Sequence, residues 1–288
     1  MSDIFPLYIP EQLNREIIKV VGVGGGGGNA LNRIGVCYVD FIAADTDHAH
    51  LELIDAPTKI LLGLEQTKGR STDADPAVGE MAAAESRDEI SAALEGADMI
   101  FLVAGMGGGT GTGASPIIAS VARETGALVV AVVTRPFSFE GRRRLANSEE
   151  GIVKLKEQVD ALVVIPNDGL LSISDRRMTV SSAYENADNV LCHVVQCIVD
   201  LILRPGIVSV DFDDLRWIMS NAGRVITGIG EGRGEDGIAT ATRSALNSPF
   251  MENPIIGAKR VLVNVTGGAK IGIGELSEAM RIINDASD

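Results

Sequence analysis

Short apolar segments alternate with longer amphipathic segments in the first part of the chain. The apolar segments have the length and the Val, Ile and Leu content of strands that are buried on both faces. The segments between them show helical periodicity, at Ala77–Leu94, Pro116–Thr125 and Arg144–Val159. Such alternation is typical of βαβ units, so it predicts a mostly parallel sheet with helices on both faces. The predicted strands are Ile17–Val23, Phe41–Ala44, Ile60–Leu62, Met99–Val103, Leu128–Val133 and Leu162–Ile165.

The pattern changes near residue 180. Val180–Leu203 is one long apolar-rich stretch that predicts a single helix, which Pro205 and Gly206 end. Further helices are predicted from Asp213, at Asp236–Asn247 and at Glu275–Asn284, with strands at Arg224–Ile229 and Val261–Val265. The chain is therefore predicted to be an α/β protein. It has a Rossmann-like parallel-sheet domain at 1–178, a central connecting helix at 179–204 and a smaller, incomplete second α/β domain at 205–288.

Composition and charge exclude several classes of protein and of binding partner. With 45% hydrophobic and 22% charged residues, the chain of 288 residues is expected to fold, which excludes intrinsic disorder. A net charge of −14 repels nucleic acid and anionic membrane surfaces, and 4% aromatic residues are few for a protein that stacks on single strands. The N-terminal segment does not have the pattern of a signal peptide, and the apolar runs are too short for a bilayer span. We expect a cytoplasmic protein that does not insert into a membrane.

The three cysteines fit the same compartment. Cys37, Cys192 and Cys197 form no CxxC pair, and their odd number argues against a disulfide framework. His193 follows Cys192, which leaves a metal site open. The ordinary alternative is a buried helix face on which the histidine is hydrogen-bonded. We predict this alternative, and we predict no metal-ligating residues.

A glycine run, Gly22–Asn29, follows the first predicted strand and precedes a helix. Glycines allow backbone N–H groups to close on a phosphate, and a helix N-terminus adds a positive dipole end. Gly22, Gly24 and Gly27 match the GxGxxG pattern, and Asp45 stands where dinucleotide-binding domains keep the acid that binds the ribose. This half of the chain alone therefore indicates an NAD-dependent oxidoreductase.

A second glycine segment decides against that interpretation. Gly107–Gly113 reads GGGTGTG after the strand Met99–Val103, and Pro116 is expected to open the next helix. It predicts a second anion-binding nest on the same sheet edge, which a dinucleotide fold does not need. GxxxxGK[ST] is absent from the sequence, which excludes a P-loop with its lysine. Phosphate charge must then be met by backbone N–H groups, threonine hydroxyls and Mg²⁺.

Several motifs, in one order, resemble the tubulin/FtsZ family of GTPases, and most closely its bacterial FtsZ branch. Besides both glycine segments they are VVTRPFSFEGRRR (132–144), VVIPNDGLLSISDR (163–176), AYENADNVL (183–191) and PGIVSVDFDDLRWIM (205–219). The resemblance runs from about Ile17 to the C-terminus. It implies a cytoskeletal GTPase that binds GTP or GDP between successive subunits, assembles head to tail into filaments and acts in bacterial cell division or a related process, at the division site.

The resemblance also implies which residues contact the nucleotide. Glu140 resembles the ribose-binding acid and Arg144 a further contact, although a solvated helix entry explains Glu140 from the residues alone. Tyr184 and Asp188 share a helix face and suit a purine that offers N1–H and N2–H₂, which selects guanine. Asn167 follows a strand at the edge where open α/β sheets bind ligands. The phosphate and base contacts are Gly25, Gly26, Gly27, Gly28, Asn29, Gly107, Gly108, Gly109, Thr110, Gly111 and Thr112.

Asp211 and Asp214 lie three residues apart where a helix begins. Helix capping explains this spacing by itself. The resemblance implies instead that the pair is catalytic and polarises the attacking water on the nucleotide of the adjoining subunit. Ser209 stands where the family usually has Asn, so we expect slower hydrolysis. The alternative function is therefore a weakly hydrolysing accessory protein that binds GTP or GDP and co-assembles with a full-length FtsZ.

Two further departures from the family matter. The γ-phosphate loop, Gly69–Pro76, lacks two family glycines and places the carboxylate of Asp73 where the terminal phosphate is expected. Two like charges at ~5 Å repel by roughly 3 kcal/mol in a medium of intermediate dielectric constant. The family also continues past the position of Asp288 with further strands and a tail that binds membrane-tethering partners, so tail-binding division partners are not expected here.

Overall fold

The computed structural model describes residues 16–36, 38–173, 178–204, 206–207, 210–234, 236–268 and 271–287. Within these ranges, seven strands form one sheet in the order β3-β2-β1-β4-β5-β6-β7, and every neighbouring pair is parallel. The strands are β1 (Ile18–Val23), β2 (Asp40–Asp45), β3 (Thr58–Leu61), β4 (Met99–Gly105), β5 (Leu128–Arg135), β6 (Ala161–Pro166) and β7 (Gly223–Val225).

Helices connect the strands and follow them. Those in the first part are α1 (Gly24–Leu31), α2 (His48–Glu52), α3 (Leu64–Thr67), α4 (Pro76–Glu85), α5 (Arg87–Leu94), α6 (Thr110–Glu124), α7 (Arg142–Lys156) and α8 (Asp168–Ile173), with a short 3-10 turn at Ser138–Glu140. Those in the second part are α9 (Val180–Leu203), α10 (Phe212–Met219), α11 (Gly237–Leu246) and α12 (Ile273–Ser287). The predicted parallel-sheet α/β architecture is confirmed.

The order of the strands reverses between β1 and β4. β1 pairs with β2 on one side and with β4 on the other, so that Val23 lies opposite both Ala44 and Ala104. In open parallel sheets, the crevice for a ligand lies at the carboxyl ends of the two strands where the order reverses. Both glycine segments follow these two strands, so the topology places both at one edge of the sheet.

The core has two layers, one on each face of the sheet. Strand β4 feeds both, because successive side chains point to opposite faces. Phe101 packs with the apolar side chains of α1, α9 and α10, and Leu102 packs with those of α4, α5 and α6. Both residues are fully buried. This explains why the strands read as continuous apolar runs.

The central helix α9 has the bounds that its sequence predicts. Thr179 caps it by accepting a hydrogen bond from Ser182 N, and Cys192 Sγ donates to Ala30 O of α1 at 3.2 Å. By length and composition alone α9 could cross a membrane, but its buried face packs on β5 and α1 as that of a core helix does. Burial raises the pKa of the Cys192 thiol to about 11, so it stays protonated.

The predictions about the surroundings of the three cysteines have different outcomes. The helix face that carries Cys192 is buried, as expected, and His193 has a hydrogen-bond partner although its side chain is exposed, since its Nε2 lies 3.5 Å from Cys197 Sγ. The two side chains meet because they are one helical turn apart on the outer face of α9. Cys37 lies outside the described residues.

Several predicted boundaries are wrong. The helix predicted at Ala77–Leu94 is two helices, because Ser86 leaves helical geometry and its hydroxyl accepts a hydrogen bond from Gly63 N at 3.0 Å. The strand predicted at Arg224–Ile229 shortens to β7, which extends the main sheet beside β6. Val261–Val265 forms no strand, since nothing within the described ranges pairs with it. The domain boundaries at 178 and 204 stay predictions.

Candidate functional site

The first glycine segment is the start of a helix, not the loop that the sequence predicts. α1 begins at Gly24, whose φ of +65° suits glycine. A Cβ on Gly27 would lie 2.3 Å from Val103 O of β4, and one on Gly24 would lie 2.9 Å from Gly111 N. Glycine therefore lets α1 pack directly on β4 and on the second glycine segment. Gly25 and Asn29 are exposed on its outer side.

The second glycine segment forms a turn that leads directly into α6. Gly107, with φ +105°, donates its N–H to Thr112 Oγ1 at 2.8 Å, so the hydroxyl of Thr112 holds the turn. A Cβ on Gly108 would have no atom within 4 Å, so this glycine faces open space. The N-terminus of α6 and the turn before it lie where the sequence predicts a nest of backbone donors, and the nest stays a prediction.

The expectation that Pro116 opens this helix is wrong. α6 begins at Thr110, and Pro116 lies inside it. The earlier start depends on glycine, because a Cβ on Gly111 would lie 2.5 Å from Gly105 O and one on Gly113 would lie 1.9 Å from Pro76 O. Close packing of this turn on β4 and α4 therefore outweighs the preference of proline for the first helical position.

Three buried threonine hydroxyls converge beside the turn. Thr110 Oγ1 lies 2.8 Å from Thr46 Oγ1 and 3.5 Å from Thr72 Oγ1. Of the three, only Thr110 is predicted from the sequence as a phosphate contact. Thr46 directly follows β2, so its position at the same sheet edge is the signal that would have found it. Each hydroxyl can donate one hydrogen bond, so the cluster can serve a phosphate oxygen.

The loop Gly69–Pro76 contributes Thr72 to this cluster. Asp73 and Ala74 have φ of +51° and +58°, the left-handed region that favours glycine. The side chain of Asp73 is exposed, and Asp75 caps α4 by accepting from Ala77 N at 2.9 Å. Asn147 Nδ2 donates to Ala74 O at 3.2 Å and so ties the loop to α7. An open depression of about 480 Å³ is lined by Gln66, Thr67, Arg70, Ser71, Thr72, Asp73 and Val78.

Glu140 is not a solvated helix-entry residue. Its Oε1 accepts from Phe137 N at 2.9 Å, and its Oε2 accepts from Arg144 Nη1 at 2.7 Å. The ring of Tyr184 meets the ring of Phe137 edge-on, with the two centroids 5.4 Å apart. Burial raises the pKa of the Tyr184 hydroxyl, and the charge of Glu140 raises it further. The structure thus brings together three residues that the sequence assigns to the ribose and the base.

Asp188 lies one turn further along α9, opposite Arg33 in the turn that follows α1. Arg33 Nε is 3.9 Å from Asp188 Oδ2, and the carboxyl is mostly buried. Burial raises the pKa of Asp188 to about 6, Arg33 opposes the rise and Glu185 adds to it. Sequence reasoning missed Arg33, which lies in the turn that follows α1, where its N–H donates to Ala30 O.

Asn167 carries an unpartnered oxygen at the carboxyl end of β6. The residue is buried, and its Oδ1 accepts no hydrogen bond from any residue that the structure describes. Buried polar atoms are nearly always paired, so an orphan at a predicted site indicates a donor that a ligand supplies. The predicted role of Asn167 as a ligand contact therefore agrees with its surroundings.

Asp45 is not free to bind a ribose, as a dinucleotide-binding domain requires. It is buried, its Oδ1 accepts from Thr46 N at 2.7 Å and its Oδ2 lies 2.9 Å from His50 Nδ1. Burial raises the pKa of this carboxyl, and the hydrogen bonds from Asp47 N, His50 and Thr46 N oppose that rise. The GxGxxG match therefore lacks the acid that the oxidoreductase hypothesis needs.

Asp211 and Asp214 do not join this constellation. Asp211 caps α10 by accepting from Asp214 N at 2.8 Å, as the capping explanation predicts. Arg216 Nη2 of the same helix donates to Asp98 O, directly before β4, whereas the glycine turn follows the other end of β4. A strand of this length separates the two edges by roughly 20 Å. Ser209 lies outside the described residues.

Comparison with known proteins agrees with this geometry. Residues 17–175 match the GTPase domain of the tubulin/FtsZ family, and residues 223–288 match the C-terminal domain of the FtsZ family. The FtsZ dimer of M. jannaschii, in its empty form, is 40% identical; the match covers 96% of this chain and 81% of that one, with a TM-score of 0.91.

More distant relatives share the fold. GDP-bound CetZ1 from Haloferax volcanii is 21% identical over 94% of this chain and 86% of that one, with a TM-score of 0.80. The GTPγS-bound CetZ2 protofilament from the same organism is 23% identical over 80% of this chain and 73% of that one, with a TM-score of 0.68. The chain therefore belongs to the tubulin/FtsZ family and is a GTP-binding GTPase of the FtsZ type.

Proposed function

We propose that this chain is a filament-forming GTPase that holds guanosine nucleotides across the carboxyl ends of β1, β4, β5 and β6. The observation that carries the proposal is the contact between two lysine-free glycine segments at the point where the strand order reverses. The backbone N–H groups at Gly107–Gly109 and the N-termini of α1 and α6 then receive the phosphates.

The nucleoside lies on the side of α9. Glu140 and Arg144 bind the ribose, and Tyr184 packs against the base while Asp188 accepts its N1–H and N2–H₂ groups. Adenine has neither an N1–H nor an N2–H₂ group to donate to the carboxylate, so this arrangement selects guanine. Asn29 and Asn167 contribute amide groups at the two sides of the pocket.

The residues present fit a phosphate chain that carries Mg²⁺. Within the described residues, no group of three or more His, Cys, Asp or Glu side chains is arranged to hold a metal ion. Mg²⁺ would therefore be bound through phosphate oxygens, where it supplies the positive charge that the lysine-free nests lack. The hydroxyl cluster of Thr46, Thr72 and Thr110 lies beside these oxygens.

Hydrolysis takes place between two copies of the chain. Asp211 and Asp214 lie at the sheet edge opposite the glycine segments, so they meet the phosphates of the next copy in a head-to-tail contact. There they orient a water and accept its proton as the water oxygen bonds to the terminal phosphorus and the bond to GDP breaks. The M. jannaschii relative is a dimer and the CetZ2 relative a protofilament, which supports self-association.

The alternative is an accessory protein that binds GTP or GDP, hydrolyses slowly and co-assembles with a full-length FtsZ. The loop at Gly69–Pro76 favours it, because Asp73 adds a negative charge and Thr72 crowds Gly109. Action in the cytoplasm of a bacterium, at the site of cell division, is the cellular role that we propose for either form.

Two measurements test the proposal. Chromatography of the nucleotide released on denaturing the purified protein should identify GDP or GTP, and a bound adenine or nicotinamide nucleotide would contradict it. Steady release of phosphate from GTP then separates the active polymerase from the accessory protein. Release that starts only when a full-length FtsZ is added would favour the accessory role.

A further inference from the structure

A histidine ring lies against the outer face of the glycine helix α1. His50 belongs to α2, and its side chain is 25% exposed. A Cβ on Gly28 would lie 3.2 Å from His50 Cε1, and one on Gly25 would lie 3.9 Å away. The ring therefore occupies space that glycine leaves open, at the segment that we assign to the nucleotide. The proposed function gives His50 no role.

The ring connects two polar side chains of the site. His50 Nδ1 lies 2.9 Å from Asp45 Oδ2, and His50 Nε2 lies 3.2 Å from Asn29 Oδ1. Asp45 is held in place because its other oxygen accepts from Thr46 N and Asp47 N. An ionised carboxylate only accepts hydrogen bonds, so Nδ1 of the ring must carry a proton and donate it.

This fixed donor couples the charge of His50 to the orientation of Asn29. A neutral ring that is protonated on Nδ1 has an acceptor at Nε2, which binds the NH₂ end of the Asn29 amide. An imidazolium ring donates from Nε2 and binds the Oδ1 end, as the observed contact does. When the His50 ring is charged, the end of the Asn29 amide that stays exposed is therefore its NH₂ donor. When the ring is neutral, the exposed end is the Oδ1 acceptor.

We propose that His50 is a positioning residue for nucleotide binding, whose charge decides which end of the Asn29 amide faces the nucleotide. This inference rests on the proposed function. In the imidazolium state Asn29 offers N–H groups, and the ring adds positive charge beside the glycine nest. Both changes favour an anionic nucleotide, so GDP and GTP bind more tightly to the charged state.

Charged and titratable groups face the ring from its own helix and from β2. Asp45 faces it from β2 and Asn29 faces it from α1, while Asp47 accepts the backbone N–H of His50 at the start of α2. His48 and Glu52 share the helix and lie 3.8 Å from each other. Asp45 is therefore the carboxylate in contact with the ring among the described residues, and histidine is in general the side chain that changes charge between pH 5 and 8.

The experiment compares GDP dissociation constants of the wild type and His50→Gln by calorimetry from pH 8 to pH 5.5. The ratio of the two constants should change about fivefold over this range, in favour of the wild type at low pH, as expected for one hydrogen bond. His48→Gln, the exposed neighbour on the same helix, should follow the wild type. Titration of Asp188 is common to all three proteins and cancels in the ratio.

The same comparison in the Asn29→Ala variant separates positioning of Asn29 from a direct effect of the charge of His50. With Asn29→Ala, the effect of His50→Gln should lose its dependence on pH. If the same dependence on pH persists without Asn29, the ring acts only as a charge and the inference is overturned. A ratio of the two dissociation constants that stays constant with pH would overturn it as well. Asp45→Asn, which keeps an acceptor for Nδ1, should move the change to lower pH. Failure of the wild type to bind GDP at any pH would instead contradict the proposed function.

Discussion

Arg33 Nε lies 3.9 Å from Asp188 Oδ2, across the gap between α1 and α9. The pair holds a carboxylate ionised in a place where burial raises its pKa to about 6. Such a group costs stability at neutral pH unless it meets hydrogen-bond donors. Guanine N1–H and N2–H₂ are donors of this kind. The carboxylate of Asp188 is therefore an acceptor that is fully hydrogen-bonded only when the ligand is bound.

Asp188→Ala should weaken GTP binding by about 1.5–3 kcal/mol, because it removes a charged acceptor from a mostly buried position. Binding of ATP should change little, since adenine does not use the carboxylate. Competition titrations with both nucleotides measure the two effects. Glu185→Gln is the matched control, because Glu185 is exposed on the same helix. Equal affinity of the wild type for ATP and GTP would contradict the assignment.

Asp188→Asn should also stabilise the nucleotide-free protein at pH 7. The pKa of Asp188 is raised by folding from 3.8 to about 6, so the folded state favours the protonated form. The stability from this group is fully present below pH 3.8 and is lost as the pH rises through about 6. The expected gain from the neutral variant is on the order of 2 kcal/mol.

Denaturant unfolding at several pH values checks the sign. The difference between Asp188→Asn and the wild type should be large at pH 7 and shrink toward zero as the pH falls from 6 to 4. A variant that is less stable than the wild type at pH 7, by a deficit that shrinks on acidification, would mean that Arg33 stabilises the ionised form more than burial destabilises it.

How far the sequence predicts the site depends on the range of the interactions. Both glycine segments could be placed at one edge of the sheet, because parallel strands joined by helices follow from the hydrophobic pattern and end at the same edge. Thr72 and His50 could not be placed there, because each acts through a contact between segments that are distant in the chain. The same reason explains the missing strand at Val261–Val265, since pairing depends on a partner and not on the apolar pattern alone.

Asp73→Gly should tighten GTP more than GDP, because only GTP carries the terminal phosphate that the carboxylate repels. The change also relieves the left-handed backbone at φ +51°, which should stabilise the fold by about 1 kcal/mol. Ala74→Gly is the matched control, since Ala74 has φ +58° and no charge. Subtracting its effect isolates the electrostatic part.

Calorimetric titration of both nucleotides into both variants provides the comparison. Asp73→Gly should show a larger GTP to GDP preference than Ala74→Gly. If the two variants shift both nucleotides alike, the effect is that of the backbone, and the exposed side chain of Asp73 points away from the phosphate.

The last prediction follows from the opposite positions of the glycine segments and the acidic pair. GTP turnover per subunit should rise with protein concentration and vanish on dilution, because one chain cannot bring Asp214 to its own phosphates. Asp214→Asn should be nearly inactive while still binding GTP. Asp213→Asn, its neighbour on α10, should keep its activity. Asp211 is a poorer choice for this test, because it also caps α10.

Mixing two inactive variants is the sharper form of this test. Gly108→Arg should block the phosphate nest without disturbing the fold, because a Cβ there meets no atom within 4 Å. It keeps the acidic pair, whereas Asp214→Asn keeps the nest. In an equal mixture about a quarter of random head-to-tail junctions join an intact nest to an intact acidic pair, so part of the activity should return. If the mixture stays inactive at high concentration while the wild type turns over GTP at any dilution, the two halves of the site belong to one chain.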